Sequence, residues 1–349
     1  MKKRHSQHRA ETDSAAPAGL APLLVAAGYV NIDLVARVPA LPGGDQRVSA
    51  DRIWRLLGGM AANAACAAAR VGPPWAVQSE LITFVGDDMD SDWALAEVER
   101  LGVGIGWSVR RPGASVPRCL ILVEPNGQRA IVSEPILFDD EQIARRVTAE
   151  PPGQRPCLLH VDGYRVPHAL PTLHKAVSAG WRVSVDMDGM ESAWRTEAGL
   201  ARLAQQFHVV FANRNAVHAI WPGVLTPDDS SPGALKCCRL LQRMLAGSPL
   251  PGGAVIVTLG ADGALVVPRE GTAAHVAAVD VAPVDTTGAG DIFAGTFLAF
   301  WLHGMDPISA AQHASVAAGL STKGFGAQGH LPTAAEIQEA TLPAVVELH

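Results

Sequence analysis

Short apolar runs alternate with longer segments of helical periodicity over most of the chain. Residues 23–27 (Leu-Leu-Val-Ala-Ala) form a continuous apolar run of strand length, and similar runs recur at 81–85, 157–161, 182–186, 209–212 and 254–259. Short runs with little alternation suit strands buried on both faces. Between them, apolar residues spaced by three and four predict helices over 61–70, 89–101, 169–179, 197–206 and 235–245. The first of these is alanine-rich and meets Gly72, as a helix with a C-terminal glycine would. Residues 264–267 are the expected partner of the 254–259 strand. Strands separated by helices predict βαβ units: an α/β fold with a mainly parallel sheet covered on both faces.

Two stretches depart from that alternation. Segments 119–124 and 129–133 flank Pro125-Asn126-Gly127, which reads as a hairpin with an Asn-Gly turn. Residues 35–53 also look antiparallel and sheet-like. Together, 35–53 and about 115–135 are expected to form a small β flap. Residues 1–22 are polar, then rich in Ala and Pro, and lack the apolar stretch of a secretion signal. They are expected to be a disordered leader, with one folded domain over 23–340.

Composition narrows the possibilities. With 349 residues, 48% of them hydrophobic and 18% charged, the chain can bury a large core. Net charge is −6 and the basic residues are dispersed apart from Lys2-Lys3-Arg4, which argues against nucleic acid as a ligand. The five cysteines are odd in number and lack CxxC spacing, arguing against a disulfide framework or a zinc site. No apolar run reaches membrane-spanning length without a charge, Gly or Pro in it. The expectation is a soluble cytoplasmic protein with no nucleic-acid or membrane partner.

The stretch richest in chemistry is Asp285-Thr286-Thr287-Gly288-Ala289-Gly290-Asp291, which runs into the apolar segment 292–302. Small residues let the backbone turn tightly and bring successive N–H groups toward one point. Those amides and the positive end of a helix dipole make a site for an anion. Asp291 can cap that helix or, projecting into a cleft, take a proton from a hydroxyl attacking phosphorus. Phosphoryl transfer needs both the donors and the base.

In a doubly wound sheet, ligands bind beyond the carboxyl ends of the strands. Asp33 lies shortly past the first run; Gly58-Gly59 leads into the helix carrying Asn63. Asp186 and Asp188 close the 182–186 run, Asn213 follows 209–212, and Thr258 and Gly260 close another. Any one of these alone is an ordinary turn residue or cap. Several of them at one sheet edge, with the glycine tetrad, point to a ligand site.

These residues resemble the signatures of the ribokinase-like (PfkB-type) carbohydrate kinases. Gly58-Gly59-Met60-Ala61-Ala62-Asn63-Ala64-Ala65 looks like the N-terminal signature of that family, and 285–291 like its C-terminal one. Val257-Thr258-Leu259-Gly260-Ala261-Asp262-Gly263 resembles the nucleotide-side strand and turn. The resemblance covers roughly 23–335. Val183-Ser184-Val185-Asp186-Met187-Asp188 and 314–326 most resemble the branch of ketohexokinase and sulfofructose kinase.

The resemblance implies a three-layer α/β sandwich with a β-sheet lid, and transfer of the γ-phosphoryl group of ATP to a sugar hydroxyl with Mg2+. It makes Asp291 the base and the amides of Gly288, Ala289 and Gly290 the anion hole. Asp33, Gly58, Gly59 and Asn63 would hold the sugar. Asn213, Thr258, Gly260, Gly263 and Ser315 would line the nucleotide site. A monovalent cation beside Asp285 and Thr287 occurs in some relatives. The lid strands would leave exposed edges in a monomer, so a homodimer joined through the lid is expected.

Departures from the family pattern bear on substrate and metal. Many members carry Asn-x-x-Glu beside the phosphates; this chain has Asn213-Arg214-Asn215-Ala216. Asp186 or Asp188 would then supply the carboxylate for the metal. Met60 stands where ribokinase has a lysine and Ser315 where it has an asparagine, which argues against ribose. Two other readings remain: a nucleoside kinase of the same fold, and a catalytically weak sensor that binds sugar or nucleotide. An aromatic content of 5% argues against a stacked nucleoside, although Trp54 lies in the lid.

Other features are read as structural. Gly102-Val103-Gly104-Ile105-Gly106 lacks the GxGxxG spacing, and no GxSxG or HExxH occurs. His160 reads as a satisfied core histidine, and Cys237-Cys238 as core packing.

Overall fold

The first apolar run passes almost directly into a lid, and that step places the candidate site. A computed structural model describes residues 20–125, 128–136, 140–150, 153–225 and 232–349. In chain order, β1 (Leu23–Ala27), β2 (Asn31–Arg37) and β3 (Ile53–Gly58) precede α1 (Met60–Val71). Next come β4 (Gln78–Ile82), β5 (Phe84–Val85), α2 (Met89–Arg100), β6 (Val109–Arg110), β7 (Arg118–Val123) and β8 (Arg129–Ser133). The middle contains α3 (Glu141–Ala149), β9 (Cys157–Val161), α4 (Val166–Ser178), β10 (Arg182–Asp186), α5 (Glu197–Gln206) and β11 (Val209–Asn213). It continues through α6 (Arg214–Ile220), α7 (Pro232–Leu245) and β12 (Ala254–Thr258). The remainder is β13 (Ala264–Pro268), β14 (Ala273–Val276), α8 (Ala289–Leu302), α9 (Pro307–Ser321), α10 (Ala334–Glu339) and β15 (Val345–Leu348).

A nine-stranded sheet runs in the order β15-β14-β13-β12-β11-β10-β9-β1-β4. The six strands from β12 to β4 are parallel, and β13, β14 and β15 add on antiparallel. Two separate apolar clusters flank it. One holds α1, α2, α8 and α9; the other holds α3, α4, α5 and α7. That is the expected α/β sandwich with a mainly parallel central sheet. Helix α8 is buried nearly throughout, with Phe293, Phe297 and Phe300 each contributing about 1.5–3 kcal/mol of burial. β15 extends the sheet beyond residue 340.

The lid is a four-stranded sheet, β3-β2-β7-β8. The hairpin reading of 119–133 holds for its strands, while Asn126 and Gly127 of the turn lie outside the described residues. The 35–53 segment is different. Its strands are Asn31–Arg37 and Ile53–Gly58, and the Pro- and Gly-punctuated connection between them is not strand. The lid is also mixed, because β2 and β7 pair in parallel. Asp33 therefore belongs to a lid strand rather than to the edge of the central sheet.

The 81–85 run divides in two. Thr83 breaks it, its Oγ1 accepting the Val30 N–H at 3.2 Å, and Phe84–Val85 turns away to pair with β6. Residues 1–19 of the expected leader lie outside the described residues; Pro22 O already accepts the Gln78 N–H beside the sheet. All five cysteines are free, and Cys237 and Cys238 are buried in the core. Among the described residues, no helix is long and apolar enough to cross a membrane.

Candidate active site

Helix α8 begins one residue past Gly288, whose left-handed φ of 74° makes the turn into it. A Cβ on that residue would lie 2.4 Å from the Ala327 Cβ, so space as well as conformation requires glycine. No side chain caps the helix. The N–H groups of Gly288 and Gly290 meet no acceptor among the described residues, while Ala289 makes a long 3.3 Å bond to Thr286 O. Gly290 is exposed, and a Cβ there would meet nothing within 4 Å. The helix thus presents open amides to whatever occupies the cleft.

Asp291 lies within the first turn of α8 rather than ahead of the helix, which starts at 289. Its Oδ2 accepts the Asn63 Nδ2 at 2.7 Å. The other end of that amide is occupied too, since Gln328 Nε2 donates to Asn63 Oδ1. A primary amide held at both ends cannot flip, so Asn63 presents its NH2 to the carboxylate. This meeting depends on small residues. Helix α1 is nearly a run of alanine, and Gly295 of α8 approaches the Ala64 carbonyl more closely than any Cβ would allow.

Burial pushes the Asp291 carboxyl up to about 7; the bond from Asn63 opposes this, and the charges of Asp188, Asp162 and Asp33 reinforce it. Some of its surface reaches solvent, yet protein surrounds it on nearly every side. A carboxyl near 7 is poised for general-base work at neutral pH.

Around it are further carboxylates. Asp33 faces the cleft from β2, its Oδ1 accepting Asn31 Nδ2 at 2.6 Å. Burial raises it to about 6 against that bond. Gly58 clears the space, because a Cβ there would lie 2.4 Å from Asp33 Oδ2 and 2.6 Å from Asn31 Oδ1. Gly59, at φ 108°, brings its backbone against the Tyr29 carbonyl and opens α1. Asp162, at the end of β9, is fully buried and accepts the Tyr29 N–H at 3.1 Å. Burial lifts it to about 6. Asp186 ends β10; burial, with Asp188, Asp291 and Asp162 nearby, holds it well above the usual carboxylate range. Its Oδ1 accepts the Asp188 N–H at 2.8 Å.

The nucleotide-side residues divide into two groups. Asn213 and Thr258 are register partners at the carboxyl ends of β11 and β12, and Gly260 opens the exposed turn that follows. Asn213 also caps α6, accepting the Ala216 N–H at 2.8 Å. Gly263 and Ser315 are used internally. A Cβ at Gly263 would strike the Val276 carbonyl, and the Ser315 hydroxyl donates to Ala277 O at 2.8 Å. Asp285 is engaged as well: Oδ1 takes the Thr287 N–H and Oγ1, and Oδ2 takes the Gly326 N–H. His160 is a satisfied core residue, its Nδ1 2.8 Å from Ser184 Oγ, and burial pushes it down to about 4.

Several cleft residues lie outside the sequence reading. Asn31 carries a detectable signal, a polar residue two before Asp33 in an apolar strand. Gln328 carries none. Tyr29 and Tyr164 meet edge to face at 5.5 Å, close enough to Asp162 for its charge to act on both phenols. A cavity of about 250 Å³ lies between the lid and the 283–287 and 325–326 segments, with Asp33 at one end. Trp54 packs on Phe325 at 5.0 Å beside it.

Comparison with known proteins identifies the family. The model of the pfkB family carbohydrate kinases matches residues 21–334. An ATP-dependent ribose-1-phosphate kinase of Halopiger xanaduensis is 30% identical over 312 residues, covering 89% of this chain and 95% of that protein. A ribokinase of Schizosaccharomyces pombe is 26% identical over 316 residues, covering 90% and 96%. The crystal structure of a ribokinase from Cryptococcus neoformans var. grubii in complex with ADP superposes with a TM-score of 0.70 at 23% identity, covering 91% and 99%.

Proposed function

The chain belongs to the pfkB family of carbohydrate kinases, and from that premise we propose that it transfers the γ-phosphoryl group of ATP to a hydroxyl of a sugar or sugar derivative, with Asp291 as the base. The single observation that carries this reading is the pairing of Asp291, raised to about 7, with uncapped amides at the start of the same helix.

In the transfer, the acceptor oxygen bonds to the γ-phosphorus as the bond from that phosphorus to the β–γ bridging oxygen breaks. The hydroxyl proton passes to Asp291, and ADP leaves with the bridging oxygen. Asn63, held by Gln328, orients the carboxylate. The amides of Gly288 and Gly290, with Ala289 between them, receive the charge that develops on the equatorial oxygens. Asp33 and Asn31 accept and donate to acceptor hydroxyls. Asn213, Thr258 and Gly260 lie at the sheet edge where the nucleotide would sit, and Gly263 and Ser315 shape the 276–278 segment behind it.

Magnesium is part of this reading. An ion of this kind keeps several waters and takes one or two protein carboxylates with the substrate phosphates. Asp186, half-buried among other carboxylates, and Asp188 beside it would hold it. When bound, the ion neutralises charge on the transferring phosphates. A monovalent cation would use Asp285 and Thr287, whose side chains are already bonded to each other.

Neither relative reported above is named for a ketose, so pentoses lead the proposed acceptors and the ketose branch follows. Nucleosides also belong in the panel, because Tyr29 and Tyr164 offer aromatic surface beside the carboxylates. We infer a homodimer through the lid, where Ile131 and Val132 on edge strand β8 are 54% and 67% exposed. The test is ADP release with MgATP across pentoses, sugar phosphates, ketoses and nucleosides. Turnover on one class supports the kinase and names its acceptor. Silence across the panel with ATP still bound supports the sensor reading instead.

A further inference from the structure

Resting on the kinase reading, we propose that Arg214 is a positioning residue for ATP, tying the 259–262 turn to the end of β11 so that Thr258 and Gly260 meet the nucleotide already in place. The turn joins β12 to β13, whose facing ends, Thr258 and Ala264, are register partners. Its backbone bonds close on themselves. The Leu259 N–H donates to Gly263 O at 2.7 Å and the Gly263 N–H to Gly260 O at 3.1 Å. Gly260, Ala261 and Asp262 are exposed, and a Cβ on Gly260 would meet nothing within 4 Å. A turn held only by its own bonds must be ordered when a ligand binds it, and that ordering weakens binding. A tether from outside the turn does the ordering in advance.

Arg214 supplies that tether from a fixed base. It opens α6 straight after Asn213, whose backbone pairs with Thr258 and whose side chain takes the Ala216 N–H at 2.8 Å. From there one nitrogen of Arg214, Nη2, donates both to Leu259 O at 3.1 Å and to the Asp262 carboxylate. The two bonds grip the turn at its entry and on its far side. The Arg214 side chain is 21% exposed and that of Asp262 61%, so the arginine is the anchored partner and the turn is what it restrains. His275 completes the hold from β14, its Nε2 donating to Asp262 O at 2.6 Å.

A guanidinium at the nucleotide edge would also suit direct contact with a phosphate. The bond to Asp262 favours the tether, because that carboxylate neutralises the charge and keeps the group on the turn. The two roles have opposite consequences for Asp262. If Arg214 is a tether, removing the carboxylate loosens the turn and weakens ATP binding. If Arg214 is a phosphate ligand, the carboxylate competes with ATP for it, and removing it strengthens binding.

The experiment measures kcat and the KM values for ATP and the acceptor in the wild type, Arg214→Met, Arg214→Lys, Asp262→Ala and the Arg214→Met/Asp262→Ala double variant. Asp262 is exposed, so its substitution leaves the core untouched. Arg214→Met and Asp262→Ala should each raise the KM for ATP by about three- to tenfold, with kcat and the acceptor KM within about twofold. The double variant should be little worse than the worse single one, since both act through one contact. Because one nitrogen makes both bonds, Arg214→Lys should recover most of the affinity. An unchanged KM for ATP in both single variants overturns the proposal, as does tighter ATP binding in Asp262→Ala. A fall in kcat with both KM values raised together, unrescued by lysine, marks a general structural defect and overturns it too. Failure of the kinase reading shows separately, as no ADP release by the wild type. Titration calorimetry with MgATP then decides: binding weakened about threefold or more by both substitutions supports the tether, and equal or absent binding overturns it.

Discussion

Asn63 and Asp291 lie 228 positions apart and are joined by one 2.7 Å hydrogen bond across the α1–α8 contact. The bond orients the carboxylate and favours its ionised form, against burial that favours the protonated one. Asn63→Ala should therefore lower kcat by about 10–10²-fold and move the acidic limb of the pH–rate profile upward. Steady-state kinetics from pH 5.5 to 9 check both. An unchanged limb would mean that Asn63 serves only the acceptor.

The same carboxylates set a pH dependence of stability. Asp33 and Asp162, near 6, and Asp291, near 7, hold protons more tightly folded than unfolded. The stability they contribute is complete below about pH 4 and is lost as pH rises through these values. His160 and His208, pushed down to about 4, act oppositely, but only below about 6.5. Between pH 6.5 and 8 the carboxylates dominate, so Tm should fall over that window in ligand-free protein. Asp291→Asn should lessen the fall. A Tm that rises across it would contradict the account.

Asp33 reaches the cleft from the lid, away from the nucleotide edge of the sheet. Asp33→Ala is expected to raise the sugar KM by about tenfold or more, the scale of a lost hydrogen bond to a charged group, and to affect the KM for ATP far less. Equal effects on both constants would indicate a folding defect instead.

Light scattering at micromolar concentration tests the lid interface. A mass of twice the 36.5 kDa chain is expected, and Val132→Lys on the exposed edge strand should shift the protein toward monomer. A wild-type mass of one chain would remove the interface from the account.

Much of this fold is legible locally. β1, β10 and α5 coincide with their apolar runs and periodicity, because each is decided by its own residues and a buried position. Helix α9 is not, since its apolar residues face several sides and leave no stripe to read. In the site, the 285–291 stretch announces itself because a tight turn needs glycine at 288. Asp33 is legible as a candidate but not as a lid residue, since nothing local marks where the chain leaves the central sheet. Gln328 lies 265 positions from Asn63, and Asn63 lies 228 from Asp291. Those contacts are products of topology, which a local pattern does not encode.

The most direct measurement is the rate of ADP release by the wild type and Asp291→Asn on the accepted acceptor, with ATP binding followed in parallel. The account predicts a kcat lower by about 10²–10⁴-fold with ATP affinity little changed. A kcat within about threefold of the wild type, on the scale expected when no general base is lost, would make Asp291 a helix-terminal residue and contradict the central claim.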